Sequence, residues 1–469
     1  MLTASASTIA DVTRGEIIAG NPSAIATDLV IDSRLASPGC AFAALPGERA
    51  NGHEFAEAAV ERGARVLLVA NNPGNLAQIV SAAEVAGAAV VRVEDVARAV
   101  RDIAAYHRSR LSCRVVGITG STGKTTTKDF VDAVLSAKFR VACTIGNRNN
   151  ELGVPLTVLC AGPDTEVLVV EMGMRGKGQI AQLAAVAKPT IALVTNVGTS
   201  HIEVLGSQEA IACTKAQLVA ALPADGAAFL NGDDAYSEQI AAMSAAPVTY
   251  YGLSERCTVT ADSVETDDES RPSFDLVTAS GRVRVSLPIP GRHNVYNALA
   301  AAAVGLHLGV SLTDIAEALS AVTVTAMRMQ LFTTANGVTV INDAYNANPV
   351  SMRAAVDTLV EMSPAGQRVA VLGDMAELGS LTELAHFQLG EHVAHSGIEA
   401  LVTVGPFARR IAEGARAAGM AAGSVRPCAA VAEAVEVLDD LLGEGDAVLV
   451  KGSRVMGLEA VVEGIVNPR

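Results

Sequence analysis

The sequence predicts an α/β protein built in three domains. Short, continuous Val, Leu and Ile runs, each followed by an amphipathic stretch, recur along the chain, as expected of strands buried on both faces of a parallel sheet. Half of the residues are hydrophobic but only 3% are aromatic, with no Trp, so the interior must be packed mainly from Ala, Val, Leu and Ile, a common α/β composition. At 469 residues the chain also exceeds one core of ordinary size, and its length suggests about three domains.

The runs place the domains in order. ARVLLVA (64–70) reads with the next three runs as a first parallel set, although it falls within a small N-terminal α/β domain, residues 1–107. RVVGIT (114–119), EVLVVEMG (166–173) and TIALVTNVG (190–198) then form the parallel sheet of a central domain, residues 108–326. The polar segment 263–291 alternates as antiparallel strands do and carries several turn residues, which predicts a β extension on that domain. GVTVINDAY (337–345), RVAVLGD (368–374), ALVTVG (400–405) and DAVLVKGS (446–453) make a second parallel set, a Rossmann-like C-terminal domain of residues 327–469.

A net charge of −15, without any Lys/Arg cluster, argues against nucleic-acid binding, so any phosphate must be gripped locally. The seven cysteines are scattered, odd in number and lack CxxC spacing, and so read as buried thiols of a reducing compartment. The N-terminus has neither the basic start nor the apolar stretch of a signal peptide. No apolar run is long enough to span a bilayer; ALAAAAVGLHLGV (298–310) comes nearest but is short and contains a His. The expectation is a cytoplasmic monomer with no membrane insertion.

The stretch GITGSTGKTTTKDF (117–130) carries the first chemistry. An apolar strand ends at Thr119, a Gly-rich turn follows, and Phe130, Val131, Val134 and Leu135 continue at helical spacing. This is the context of a P-loop. Backbone N–H groups of Gly120, Ser121, Thr122, Gly123 and Thr126 would face phosphate oxygens, Lys124 would reach the β/γ-phosphates, and the Thr125 hydroxyl would reach Mg²⁺. The loop is a variant, because the usual pattern needs Gly at 118, where Ile118 stands, and Gly117 lies one position further back. Glu171, at the end of the run VLVVE, is placed as an acidic partner for the metal. His201 lies just beyond a third strand end, where parallel sheets bind ligands, and Lys215 follows fourteen positions later in a predicted helix. A lone Lys on a helix is ordinarily a solvated residue.

Taken together, TGSTGKTTT, EMGMRGKGQI, NVGTSHIEVLGS with Lys215 downstream, GRHNVYNALAAAAVG and NDAYNANPVSM resemble the Mur ligase family, the ATP-dependent amide-forming enzymes of peptidoglycan synthesis. The motifs span most of the chain in the family's order. The resemblance implies that Lys124 and Thr125 hold ATP and magnesium, that Glu171 and His201 are metal ligands, and that Lys215 is carbamylated. A neutral amine that adds CO₂ becomes an anionic carbamate, an oxygen ligand for a second Mg²⁺. Lys124, Lys215, His201 and Arg328 are the implied catalytic set. Arg328 and Asp343 are implied contacts from the third domain to phosphate and ribose. Asn294 is either an adenine-side contact or a helix N-cap.

Within the family, YNANPVSM (345–352) with LGDMAELG (372–379) most resembles the branch that adds D-alanyl-D-alanine to a UDP-N-acetylmuramoyl-tripeptide. Asn149, Tyr345, Asn346, Asn348 and Lys451 fall on the implied substrate side, and Arg454 beside Lys451 is a further candidate. The segment 31–55 resembles a uridine-nucleotide domain, in which Ser33 and Arg34 either contact UDP or belong to a turn built around Asp32 and Ser33. The implied reaction passes through an acyl phosphate and releases ADP. Another amino-acid ligase of the same family, a plain P-loop NTPase, and a catalytically silent nucleotide-binding scaffold are the competing readings.

Overall fold

The structure, a computed structural model, describes residues 2–47 and 50–467. Residues 48 and 49, inside the segment 31–55, and the outermost residues of the two terminal domains lie outside the described residues. Three main sheets organise the chain.

The first sheet is five-stranded, in the order Glu16–Ala19, Ala89–Val93, Val66–Ala70, Cys40–Ala43, Asp28–Val30, and only its first pair is antiparallel. The run 64–70 therefore belongs to a sheet separate from the central parallel set. The helix Val96–Ser109 leads out of it and runs through the predicted division at 107/108. Its far end is tied into the central domain: a ring nitrogen of His107 pairs with Ala161 O at 2.8 Å, and Arg108 Nε donates to Ala187 O at 2.8 Å. The helix thus packs on both sides of that division.

The central sheet has nine strands. Arg114–Thr119 lies between Val167–Glu171 and Ile191–Val194, all parallel, and Ala227–Asn231, Val248–Tyr251 and Val259–Thr266 extend the parallel run. Pro272–Thr278 and Gly281–Ser286 then add antiparallel strands, the predicted β extension. The loop-bearing helix Lys124–Ser136 buries Phe130, Val131, Val134 and Leu135, the four residues whose spacing predicted it. Against it packs Asn294–His307, whose alanines 298, 300, 301 and 302 are fully buried and whose Gly305 lets the two helices approach: a Cβ there would lie 2.5 Å from Val134 Cγ1. The Ala-rich run is thus a core helix. No helix among the described residues is long and apolar enough to cross a membrane.

The third sheet runs Gln330–Thr333, Thr339–Asn342, Ala447–Lys451, Arg368–Gly373, Ala400–Val404, Val425–Cys428, parallel except for its first pair. Packing divides the molecule unevenly. One apolar cluster runs without a break from Ile9, Val91 and Val100 of the first domain to Leu168 and Ile211 of the central one. The third domain keeps its own clusters on the two faces of its sheet. Burial of apolar area thus fixes the first two domains to each other, whereas the third is joined to them through polar contacts and the tether after residue 321. Thr325 anchors that tether, with N and Oγ1 donating to Asp129 at 2.7 and 3.1 Å.

Among the described cysteines all are free, but only Cys40, Cys113, Cys257 and Cys428 are buried. Cys160 and Cys213 are exposed and Cys143 is half-buried, which corrects the expectation of buried thiols throughout. Cys160 ends the helix Gly153–Cys160, and Cys213 sits on the outer face of Gln208–Ala220.

Candidate active site

The carboxyl ends of the central strands open into a cleft of about 640 Å³ that the third domain covers from the other side. Its floor is the loop after Thr119. Gly117, out of register for the usual pattern, lies inside the strand Arg114–Thr119, where a Cβ would meet Leu218 Cδ1 at 2.9 Å. Gly120 is the glycine the turn requires, since a Cβ there would fall 1.8 Å from Thr195 Oγ1. Asn196 clamps the turn: its carbonyl accepts Ser121 N at 3.0 Å, its Oδ1 accepts Thr122 N at 3.0 Å, and its Nδ2 donates to Thr122 Oγ1 at 2.8 Å. Thr195 Oγ1 donates to Thr122 O at 2.6 Å, and Gly198 N to Ser121 Oγ at 2.8 Å. Gly123, in left-handed backbone at φ 75°, starts the helix Lys124–Ser136 without a side-chain cap, which leaves the first-turn N–H groups of Lys124, Thr125 and Thr126 free to face an anion.

Lys124 Nζ arches over the turn to Gly120 O at 2.7 Å. Burial pushes its pKa down, opposed by the Glu171 carboxylate and aided by Arg328. Glu171, 1% exposed, accepts Asn149 Nδ2 on Oε1 at 2.7 Å, while its buried Oε2 has no hydrogen-bond partner. A buried carboxylate oxygen without a partner is costly unless a cation claims it. Among the described residues no three His, Cys, Asp or Glu side chains converge on one point. The donors present therefore suit Mg²⁺, which takes one or two carboxylates and completes its octahedron with water and phosphate oxygens. Asn149, expected on the substrate side, orients the acid.

Lys215 is the exception to the solvated helical lysine: it is 1% exposed and lines the cleft. Burial, and then the Lys124 cation, push its pKa well below the ordinary value, with Asp234 opposing. That direction favours the neutral amine, the form that condenses with CO₂. His201, in left-handed backbone, pairs Nδ1 with Glu377 Oε2 of the third domain at 2.5 Å. Hydrogen bonding to His201 is the main cause that holds the Glu377 carboxyl below its usual range.

From the third domain comes Arg328, whose Nη2 donates to Thr125 Oγ1 at 3.3 Å and whose guanidinium lies over Tyr345. Asn348 caps the helix Pro349–Glu361 through its Oδ1 and reaches back with Nδ2 to Ser200 Oγ at 3.2 Å. Asp343 and Lys451 are engaged with each other at 2.5 Å, deep in the third domain's face of the cleft. Asp343 Oδ1 also accepts Met329 N at 3.2 Å, and Lys451 Nζ donates to Asn346 O at 2.8 Å. Arg454 is half-exposed and ion-paired with Glu459 at 2.6 Å.

One expectation ends elsewhere. Asn294 is neither cap nor cleft lining: the N-cap is His293, and Asn294 Nδ2 donates to Pro290 O at 2.7 Å while its Oδ1 accepts Asn297 Nδ2 at 2.8 Å. Its neighbours His293, Tyr296 and Asn297 line the cleft instead. Ser33 and Arg34 lie outside this cleft, in the turn around Asp32 that is one of their two expected settings, where Asp32 accepts Arg34 N at 2.9 Å and pairs with its guanidinium at 2.7 Å. That pairing lowers the Asp32 pKa to about 2.

Sequence reasoning missed Asn196, Asn297, Ser200 and Glu377. For Asn196 a signal existed: it stands one residue past Thr195, at the end of a buried strand beside the loop. Glu377 lay within the quoted LGDMAELG, but nothing local marks it.

The chain is similar to known proteins along most of its length. Residues 27–108 match the Mur ligase family catalytic domain, residues 118–305 the Mur ligase middle domain, and residues 327–454 the Mur ligase glutamate ligase domain. Over 465 residues the chain is 41% identical to the UDP-N-acetylmuramoyl-tripeptide--D-alanyl-D-alanine ligase of Mycobacterium tuberculosis, covering 93% of this chain and 91% of the relative. The enzyme of the same name from Escherichia coli is 35% identical over 471 residues, 99% of each chain. Among solved structures, MurF from Acinetobacter baumannii superposes with a TM-score of 0.87 at 30% identity over 99% of each chain. MurF ligase from Thermotoga maritima in complex with ADP gives 0.79 at 26% identity, over 94% of this chain and 97% of that one.

Proposed function

The chain belongs to the Mur ligase family, and from that premise we propose that it joins D-alanyl-D-alanine to a UDP-N-acetylmuramoyl-tripeptide with conversion of ATP to ADP. The observation that carries the reading is Arg328 on Thr125 Oγ1: a phosphate loop in one domain receives its second cation from another. A plain P-loop NTPase or a silent scaffold would leave that arrangement, the buried Lys215 and the third domain without a task.

In this reading the substrate's terminal carboxylate attacks the γ-phosphate, giving an acyl phosphate and ADP, and the amine of D-alanyl-D-alanine then displaces phosphate from the acyl carbon. Two anions must approach each other in the first step. Lys124 and Arg328 lower that repulsion, the free N–H groups at the start of Lys124–Ser136 hold phosphate oxygens, and Asn196 keeps the turn open for them. Mg²⁺, when bound, would neutralise phosphate charge; Thr125, Glu171, His201 and a carbamylated Lys215 are the residues that would hold two such ions. Asn149 aims Glu171. Tyr345 keeps Arg328 flat, and the Asp343–Lys451 pair braces the backbone at Met329 and Asn346 on either side of that stack. The third domain has a chemical purpose, because an acyl phosphate open to water would hydrolyse.

We assign residues 1–107 to the UDP portion of the substrate, 108–326 to ATP, and 327–469 to closure over ATP and the dipeptide, in a cytoplasmic monomer. The test is mass spectrometry of a reaction containing the UDP-linked tripeptide, D-alanyl-D-alanine and ATP. Conversion of the tripeptide to the pentapeptide, with one ADP per product, is expected. ATP hydrolysis without a pentapeptide product would favour the NTPase reading.

A further inference from the structure

The His201–Glu377 contact joins two residues that both occupy left-handed backbone, at φ 64° and φ 61°. That region disfavours any residue with a Cβ, and neither is Gly or Asn, so the surroundings must hold each in place. For Glu377 they do so through a set of fixed acceptors for the loop's backbone N–H groups. His386, fully buried, pairs Nδ1 with Thr382 O at 2.7 Å; a carbonyl only accepts, so Nδ1 carries the proton and Nε2 is free to accept Met375 N at 2.9 Å. Ala376 N donates to Ser453 Oγ at 2.8 Å, and Leu378 is buried. On the other side, Gly379 approaches Glu203 so closely that a Cβ would stand 3.1 Å from its Cγ. The loop after the strand Arg368–Gly373 is therefore built to place one carboxylate against one imidazole of the central domain.

The same accounting applies to His201. A carboxylate accepts and does not donate, so in the neutral ring Nδ1 carries the proton toward Glu377 and Nε2 carries the lone pair, on a side chain that lines the cleft. We propose that Glu377 is a positioning residue for the metal site: it reaches across from the third domain to set the tautomer and ring orientation of His201, so that Nε2 is presented to Mg²⁺ only when that domain is docked. The inference rests on the reading of His201 as a metal ligand. It gives the domain contact a function beyond excluding water, since a metal-binding imidazole is held by the acceptor on its other nitrogen, and here that acceptor belongs to a different domain.

The test uses the full chain with a non-hydrolysable ATP analogue and Mn²⁺ in place of Mg²⁺, free Mn²⁺ being read by electron paramagnetic resonance. Glu377→Ala should raise the Mn²⁺ Kd by about tenfold or more. Glu377→Gln, whose amide oxygen still accepts from Nδ1, should restore most of the affinity. Glu361→Ala removes a different interdomain bond, from Ser270 Oγ at 3.1 Å, and should leave the Kd unchanged. A Glu377→Ala value equal to wild type, with His201→Ala weakened, would overturn the proposal, as would a Glu361→Ala loss equal to that of Glu377→Ala, which would indicate docking alone. An unchanged His201→Ala would overturn the ligand reading beneath it.

Discussion

The guanidinium carbon of Arg328 stands 3.9 Å from the centroid of the Tyr345 ring, closer than any other cation–ring contact among the described residues. The stack fixes the plane of a side chain that must reach another domain, and the backbone on both sides of it is bent to deliver it: Met327 and Met329 both have positive φ, at 60° and 49°. A cation over a ring contributes about 0.5–2 kcal/mol, so Tyr345→Leu should lower kcat/KM for ATP roughly twofold to thirtyfold. Tyr345→Phe keeps the ring and should stay near wild type. Steady-state ADP formation with saturating tripeptide and dipeptide checks both.

Lys215→Ala should lose most ligase activity and regain part of it with added short carboxylic acids that replace the carbamate. Full activity in the unrescued variant would remove Lys215 from the site.

Lys215 also predicts a stability effect. Its folded pKa lies well below 10.5, so the unfolded chain binds the proton more readily and the residue costs stability below pH 10.5. The cost is absent above that value, grows as pH falls toward the folded pKa, and is constant below it. Lys215→Met should therefore stabilise the central domain at pH 7, by about 1–3 kcal/mol, and the gain should shrink as pH rises toward 10.5. Urea unfolding at several pH values without added bicarbonate measures it.

Gly120→Ala should abolish nucleotide binding while the sheet survives, because the added Cβ would displace Thr195 Oγ1 and with it the bond to Thr122 O. Calorimetric titration with ADP, beside a circular-dichroism melt, separates loss of the loop from loss of the fold.

Lys451→Met would leave Asp343 charged and buried with only Met329 N to bond it, a loss of about 3–5 kcal/mol in the third domain. The double variant Lys451→Met with Asp343→Asn buries no charge and should recover part of that loss in urea unfolding.

What the sequence revealed followed the range of the interactions involved. The strand Arg114–Thr119 coincides with the run RVVGIT, and Val167–Glu171, Arg368–Gly373 and Ala400–Val404 each fall inside an apolar run, because burial on both faces writes itself into consecutive residues. The helix after the loop was legible from Phe130, Val131, Val134 and Leu135 for the corresponding reason. Thr125, Glu171 and His201 were legible from their places at strand ends and in the loop, Lys215 and Arg328 only through motif order, and all five line one cleft. What stayed hidden depends on partners far along the chain: Asn149 under Glu171, Glu377 against His201, and Asp343 neutralised by Lys451. Asn294 misled because its motif sits at a helix start, where a cap is the local expectation, whereas its amide is bonded back to Pro290 and to Asn297.

The most direct test of the central claim is ADP release measured with the UDP-linked tripeptide, in the presence and absence of D-alanyl-D-alanine. A ligase that holds its acyl phosphate away from water should release ADP continuously only when the dipeptide is present, in equal amount to the new amide. ADP release at the same rate without the dipeptide, or without the tripeptide, would contradict the account.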